Sequence, residues 1–120
     1  MNLRRFGLVT ALLLGSTLGF ACGETDVGEC PADSTETQVR GQQLVVDRCM
    51  GCHASTLTGS DRNNAPSNLN FDDLSVVRNE GNELFEEIDA GDMPPSGPLS
   101  SADKESIRVW LACGAPDVID

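Results

Sequence analysis

Positive charge is scarce in this chain: 8 Lys and Arg stand against 19 Asp and Glu over 120 residues. Two of the eight, Arg4 and Arg5, sit in what reads as a leader, so six remain and the formal charge beyond it is −13. Such acidity argues against nucleic acid or anionic lipid as a partner. It fits either steering toward a basic docking surface or solubility alone. Aromatics are as rare. There is no tyrosine, and beyond the leader only Phe71, Phe85 and Trp110. A stretch of roughly 100 residues with so few large apolar side chains builds a thin core by itself. A single histidine, His53, excludes any site that needs two imidazoles. No hydrophobic run is long enough for a confident membrane span, since the apolar stretch from Phe6 to Leu14 is short and followed by Gly and Ser. With Arg4 and Arg5 before it and small residues up to Ala21 after it, residues 1–21 read as an export signal. Export implies an oxidising compartment, the periplasmic side of a bacterial membrane.

Against these absences stands one dense motif, Cys49-Met50-Gly51-Cys52-His53. It spells C-x-x-C-H, the attachment signature of a covalent c-type haem. On a helix, residues three and four apart share a face, so Cys49 and Cys52 can reach two haem vinyl groups from one side. His53 can then offer a ring nitrogen to the iron. A buried haem would also supply apolar surface that the core lacks. The haem-free chain is accordingly expected to fold poorly. Two other chemistries use similar residues. A thioredoxin-type cysteine pair needs a βαβ context, and no strand pattern precedes Cys49. A zinc site would draw on Cys52 and His53, but adjacent helical residues point about 100° apart and rarely share a metal.

The rest of the chain reads as helices and loops. Residues 22–35 are Gly, Glu, Asp, Ser, Thr and Pro with little to bury, a flexible polar tether ahead of a domain over 36–120. Thr35 and Gln38 form a capping box that starts a helix leading into Cys49. Gly41 weakens that helix by about 1 kcal/mol against alanine, which suggests a close approach by another helix, although a tolerated glycine is the plain alternative. Residues 54–70 form a loop, a short helix follows Asp72 or Asp73 to Arg78, and another spans about Asn82 to Ala90 with Gly91 as its C-cap. Met93-Pro94-Pro95-Ser96-Gly97-Pro98 cannot be helical. The last helix starts at Ser100 or Ser101 and ends at Gly114, with Ile107, Trp110 and Leu111 on one face. No strand pattern appears, so the fold class is all-α.

Over roughly residues 36–115 this arrangement resembles a class I, monohaem cytochrome c. The resemblance implies three to four helices wrapped around one covalently attached haem, and electron transfer as the activity. It implies that Gly41, eight residues before the first haem cysteine, packs against an aromatic on the last helix, here Trp110. It assigns the support of the proximal histidine to a proline carbonyl that receives the ring N–H, for which Pro66 is the best match. It makes the sixth iron ligand a methionine in a Pro-rich loop before the last helix, which Met93-Pro94-Pro95 fits.

Elimination leads to the same methionine. Beyond the leader only Met50 and Met93 remain, and Met50 lies between the haem cysteines. The one lysine, Lys104, falls inside the last helix. Met93 is therefore the expected partner of His53 across the iron, the alternative being a loop methionine packed on apolar surface.

Cysteine arithmetic treats the other three thiols. Cys22 follows Leu18-Gly19-Phe20-Ala21, which reads either as a lipoprotein processing site with Cys22 lipidated or as ordinary cleavage after Ala21. Lipidation leaves Cys30 and Cys113 as an even pair for a disulfide, whereas ordinary cleavage leaves an odd thiol. The first pattern is favoured and anchors the domain to a membrane through Cys22; a soluble periplasmic protein is the alternative.

The leading expectation is thus an electron carrier with haem c, iron held by His53 and Met93, and exported or membrane-bound redox proteins as partners. A competing expectation is enzymatic or sensory: the haem subunit of an oxidoreductase or peroxidase, or a gas binder if Met93 is not a ligand. Peroxidatic chemistry needs an open iron position and acid–base residues, and with His53 on the iron no further histidine is available. A third reading without haem is a small disulfide-stabilised surface lipoprotein.

Overall fold

A computed structural model describes residues 26–119; the expected export signal and Cys22 lie outside them. Among the described residues there are four α-helices and no strand, an all-α arrangement. The helices are α1 (Thr35–His53), α2 (Leu74–Asn79), α3 (Gly81–Ala90) and α4 (Ser101–Ala112), with one 3-10 turn at Gly59–Arg62 inside the loop after α1. No described helix is long and apolar enough to cross a membrane.

α1 buries Gly41, Leu44, Val45, Cys49 and His53, a stripe at helical spacing, and packs chiefly on α4. The two helices meet most closely at Gly41. A Cβ placed there would run into the backbone carbonyl of Ser106 and sit 2.7 Å from the Cβ of Trp110. Only glycine allows this approach, which is the packing reason its helix cost implied. Trp110 is fully buried at the crossing and donates its indole N–H to the Pro116 carbonyl at 2.8 Å, so its one polar atom is satisfied.

The start of α1 differs from the expected capping box. The N-cap is Ser34, whose hydroxyl donates to the Pro31 carbonyl (2.8 Å) and accepts from the Gln38 side-chain amide (2.9 Å). Thr35 is already the first helical residue. The upstream turn competes for the hydroxyl, and the box closes one residue early, between side chains.

α4 begins as expected, with the Ser100 hydroxyl accepting from the Asp103 backbone N–H at 3.2 Å. α2 is capped by the Asp73 carboxylate, which accepts from the Ser75 backbone N–H at 2.8 Å. α3 follows almost without a break, buries Leu84, Phe85 and Ile88, and ends at Gly91 in the left-handed conformation (φ 84°).

Residues 26–34 have no regular structure, yet they are not a free tether. Cys30 is disulfide-bonded to Cys113 at the end of α4, with Cα atoms 4.6 Å apart. The Val27 carbonyl accepts from the Arg108 guanidinium, and the Val27 N–H reaches the Asn82 side chain at 3.4 Å. The polar composition that read as flexible is held by cross-links to elements far along the chain. The C-terminal segment is clasped in the same way: buried Gln42 donates to Asp117 (2.8 Å) and accepts from the Val118 N–H (2.7 Å).

Candidate functional site

The last turn of α1 brings Cys49, Cys52 and His53 to one face, as their three- and four-residue spacing requires. Cys49 and His53 are buried, Cys52 is half-buried, and both thiols are free. Their face opens onto a cavity of about 410 Å³ whose wall also contains Pro66 and Met93. Leu69, Phe71 and Leu84 make much of the remaining wall apolar, and Glu80, Glu83 and Glu87 bring three carboxylates to it from the start and one side of α3. The motif at the end of α1 and the methionine before α4 are 40 residues apart in sequence and share this one space.

His53 is held in one orientation. Its Nδ1 lies 3.0 Å from the Leu69 carbonyl, and because a carbonyl only accepts, Nδ1 is assigned the proton. The Nε2 lone pair is then free for a ligand, and Nε2 has no hydrogen-bond partner among the described residues. The ring stacks on Phe71, with centroids 4.5 Å apart and planes inclined by 16°. The Phe71 N–H in turn donates to the His53 carbonyl at 2.8 Å, tying the end of α1 to the end of the loop.

The expectation for Pro66 is corrected in one respect. Pro66 lines the cavity, but the carbonyl that meets the histidine belongs to Leu69. The Pro66 carbonyl instead accepts from the Leu69 N–H (3.1 Å) and from Arg62 (2.7 Å). That turn carries the chain three residues further before it presents a carbonyl to the ring.

Arg62 was invisible to sequence reasoning, because an arginine between Asp61 and Asn63 in a polar loop reads as solvent-facing. Its residue exposure is only 5%. Its guanidinium donates to the carbonyls of Ala54, Leu57, Ala65, Pro66 and Leu69 and to the Asn70 side chain. Asp72 closes the same loop, its carboxylate accepting from the backbone N–H (2.9 Å) and the hydroxyl of Ser55. The Ser55 side-chain bond, opposed by slight desolvation, holds the Asp72 carboxyl below the usual carboxylate range.

Burial pushes the Cys49 thiol up to about 11; Arg48 opposes this and Cys52 adds to it. A thiol so placed stays protonated at neutral pH and is a weak nucleophile and metal ligand. Among the described residues no three His, Cys, Asp or Glu side chains gather as a metal-ion cage. Two side chains set aside from the sequence lie elsewhere. Met50 packs against the hydrophobic core, and Lys104 donates to the Asp89 carbonyl at 2.7 Å, beside the Asp89 carboxylate.

Comparisons with protein-family models, with curated proteins and with solved structures find no match.

Proposed function

We propose that the chain is an electron-transfer protein of the cytochrome c type, carrying one haem c joined to Cys49 and Cys52. The observation that carries this reading is the shared cavity: an apolar space walled by both cysteines, the only histidine and the only methionine outside the helices beyond the leader. The residues present fit the group. Two thiols on one helical face suit two thioether links, the apolar wall suits a porphyrin, and a histidine oriented through Nδ1 leaves Nε2 for iron. Met93, in the same wall, would supply the iron with a thioether donor, which raises the potential relative to a second imidazole.

When bound, the haem supplies a one-electron ferric/ferrous couple. The chain's residues provide the rest. Leu69 and Phe71 fix the plane and tautomer of His53, so its orientation is set before any electron moves. With both His53 and Met93 on the iron, no position would remain for a substrate, which favours a carrier over a catalyst. The acidic surface suits transient encounters with redox proteins that present a basic docking face. Lipidation at Cys22 would hold the domain on the periplasmic side of a membrane.

The test is the spectrum of the ferric protein. A methionine–iron charge-transfer band that disappears in Met93→Ala supports the carrier. High-spin ferric iron in the unmodified protein would favour the enzymatic or gas-binding alternative and end this reading.

A further inference from the structure

The Leu69 carbonyl accepts two hydrogen bonds, from His53 Nδ1 at 3.0 Å and from Arg62 Nη2 at 3.2 Å. This matters because the strength of the bond at Nδ1 governs how much electron density the ring offers at Nε2. A strong acceptor draws the Nδ1 proton and gives the ring imidazolate character. An acceptor already engaged by a cation draws it less.

Arg62 is built for that indirect role. Six acceptors surround its five N–H groups, so none remains to bind a ligand directly. Among the described residues no carboxylate lies within ion-pair distance of it, unlike Arg40, Lys104 and Arg108. A guanidinium held by carbonyl dipoles alone leaves its positive charge uncompensated inside the loop that faces His53.

We infer that Arg62 is a positioning residue that, through the Leu69 carbonyl and its own buried charge, weakens His53 as a donor and favours the reduced state of the bound metal. This inference rests on the haem reading above. Both contributions have the same sign: a less imidazolate-like ring and a nearby cation each disfavour the more positive, oxidised iron.

The experiment measures the midpoint potential and the urea midpoint of haem-loaded protein for the unmodified chain, Arg62→Gln and Arg62→Lys. Arg62→Gln removes the charge and is expected to shift the ferric/ferrous equilibrium at least tenfold toward ferric, a fall of about 59 mV for one electron. Arg62→Lys keeps the charge but loses the fork, and its fall is less than half as large. A variant that loses stability at unchanged potential shows Arg62 to be merely a loop staple and overturns the inference. If Arg62→Gln does not fold, Arg62→Lys decides alone: a fall of about threefold in the same equilibrium supports the inference, and an unchanged or higher potential overturns it. An unmodified protein that carries no haem would remove the underlying reading as well, and is told apart by its lack of colour.

Discussion

Gly41 has no side chain, and α1 and α4 depend on that. Gly41→Ala forces a methyl group onto the Ser106 carbonyl and the Trp110 Cβ, both backbone or rigid core atoms that cannot swing aside. The expected loss is about 3 kcal/mol, at the upper end of overpacking penalties, read as a lower urea midpoint. Cys49 allows a second prediction. With its thiol pushed up to about 11, folded haem-free chain at pH 8 exposes roughly one thiolate in a thousand at this position. Alkylation of Cys49 in the folded fraction of the haem-free chain, read by peptide mass as the slow phase, is expected to be slow at pH 8 and to accelerate through pH 10 and 11; a folded fraction that labels at pH 8 as fast as urea-unfolded chain would contradict the burial. The same shift carries a sign for stability. The folded chain holds this proton more tightly than the unfolded one, so its contribution is complete below the ordinary value of 9.0 and is lost as pH rises toward 11. At this level much was legible in the sequence, because spacing on a helix fixes which side chains meet. Cys49, Cys52 and His53 had to share a face, and the helix cost of Gly41 pointed to a close approach, which the Ser106 carbonyl and Trp110 make. Arg62 was not legible. Nothing local distinguishes an arginine that faces water from one that folds back into its own loop.

Among the elements, the loop between α1 and α2 does the most to fix His53 and is the least readable. It has no periodicity, so no register could choose Leu69 over Pro66 as the carbonyl beneath the ring. That choice is made by the Leu69 N–H folding back onto the Pro66 carbonyl and by Arg62 gathering the strand of carbonyls around it. The Ser55–Asp72 clamp closes this loop and is pH-sensitive. Because the folded Asp72 carboxyl is held below its ordinary value of 3.8, its contribution is present above that value and is lost as pH falls below it. Asp72→Asn is expected to remove this acid-dependent part while leaving stability at pH 7 lower by about 1 kcal/mol. The helices themselves follow from apolar spacing and from caps at Ser100, Asp73 and Gly91, while the cap of α1 moved by a residue and α4 stops at Ala112, short of the expected Gly114. The segment ahead of α1 was misleading because composition reports what a stretch can bury, not what it is bonded to. Cys30 and Cys113 enclose 83 residues of sequence separation. Replacing both by serine is expected to cost about 4 kcal/mol in the chain-entropy picture, measured by urea unfolding with and without reductant.

At the scale of the molecule, the described residues form a small helical shell with an apolar space at the end of the longest helix. Its core is real but lean: Trp110, Ile88, Ile107, Val45 and Val77 are the largest fully buried side chains, and only two described phenylalanines join them. The 410 Å³ cavity stands where the composition predicted a deficit of large side chains, and its wall collects the residues that the motif and the methionine count had singled out. A haem in that space would complete the core and tie two free thiols at once. The decisive measurement is therefore the intact mass and reduced haemochrome spectrum of the full chain, expressed with and without a haem-attachment system. One haem per chain, no alkylatable thiol at Cys49 or Cys52, and a much higher urea midpoint when haem is attached are the predicted results. A chain that is colourless and equally folded in both conditions, with both thiols open to alkylation, would contradict it.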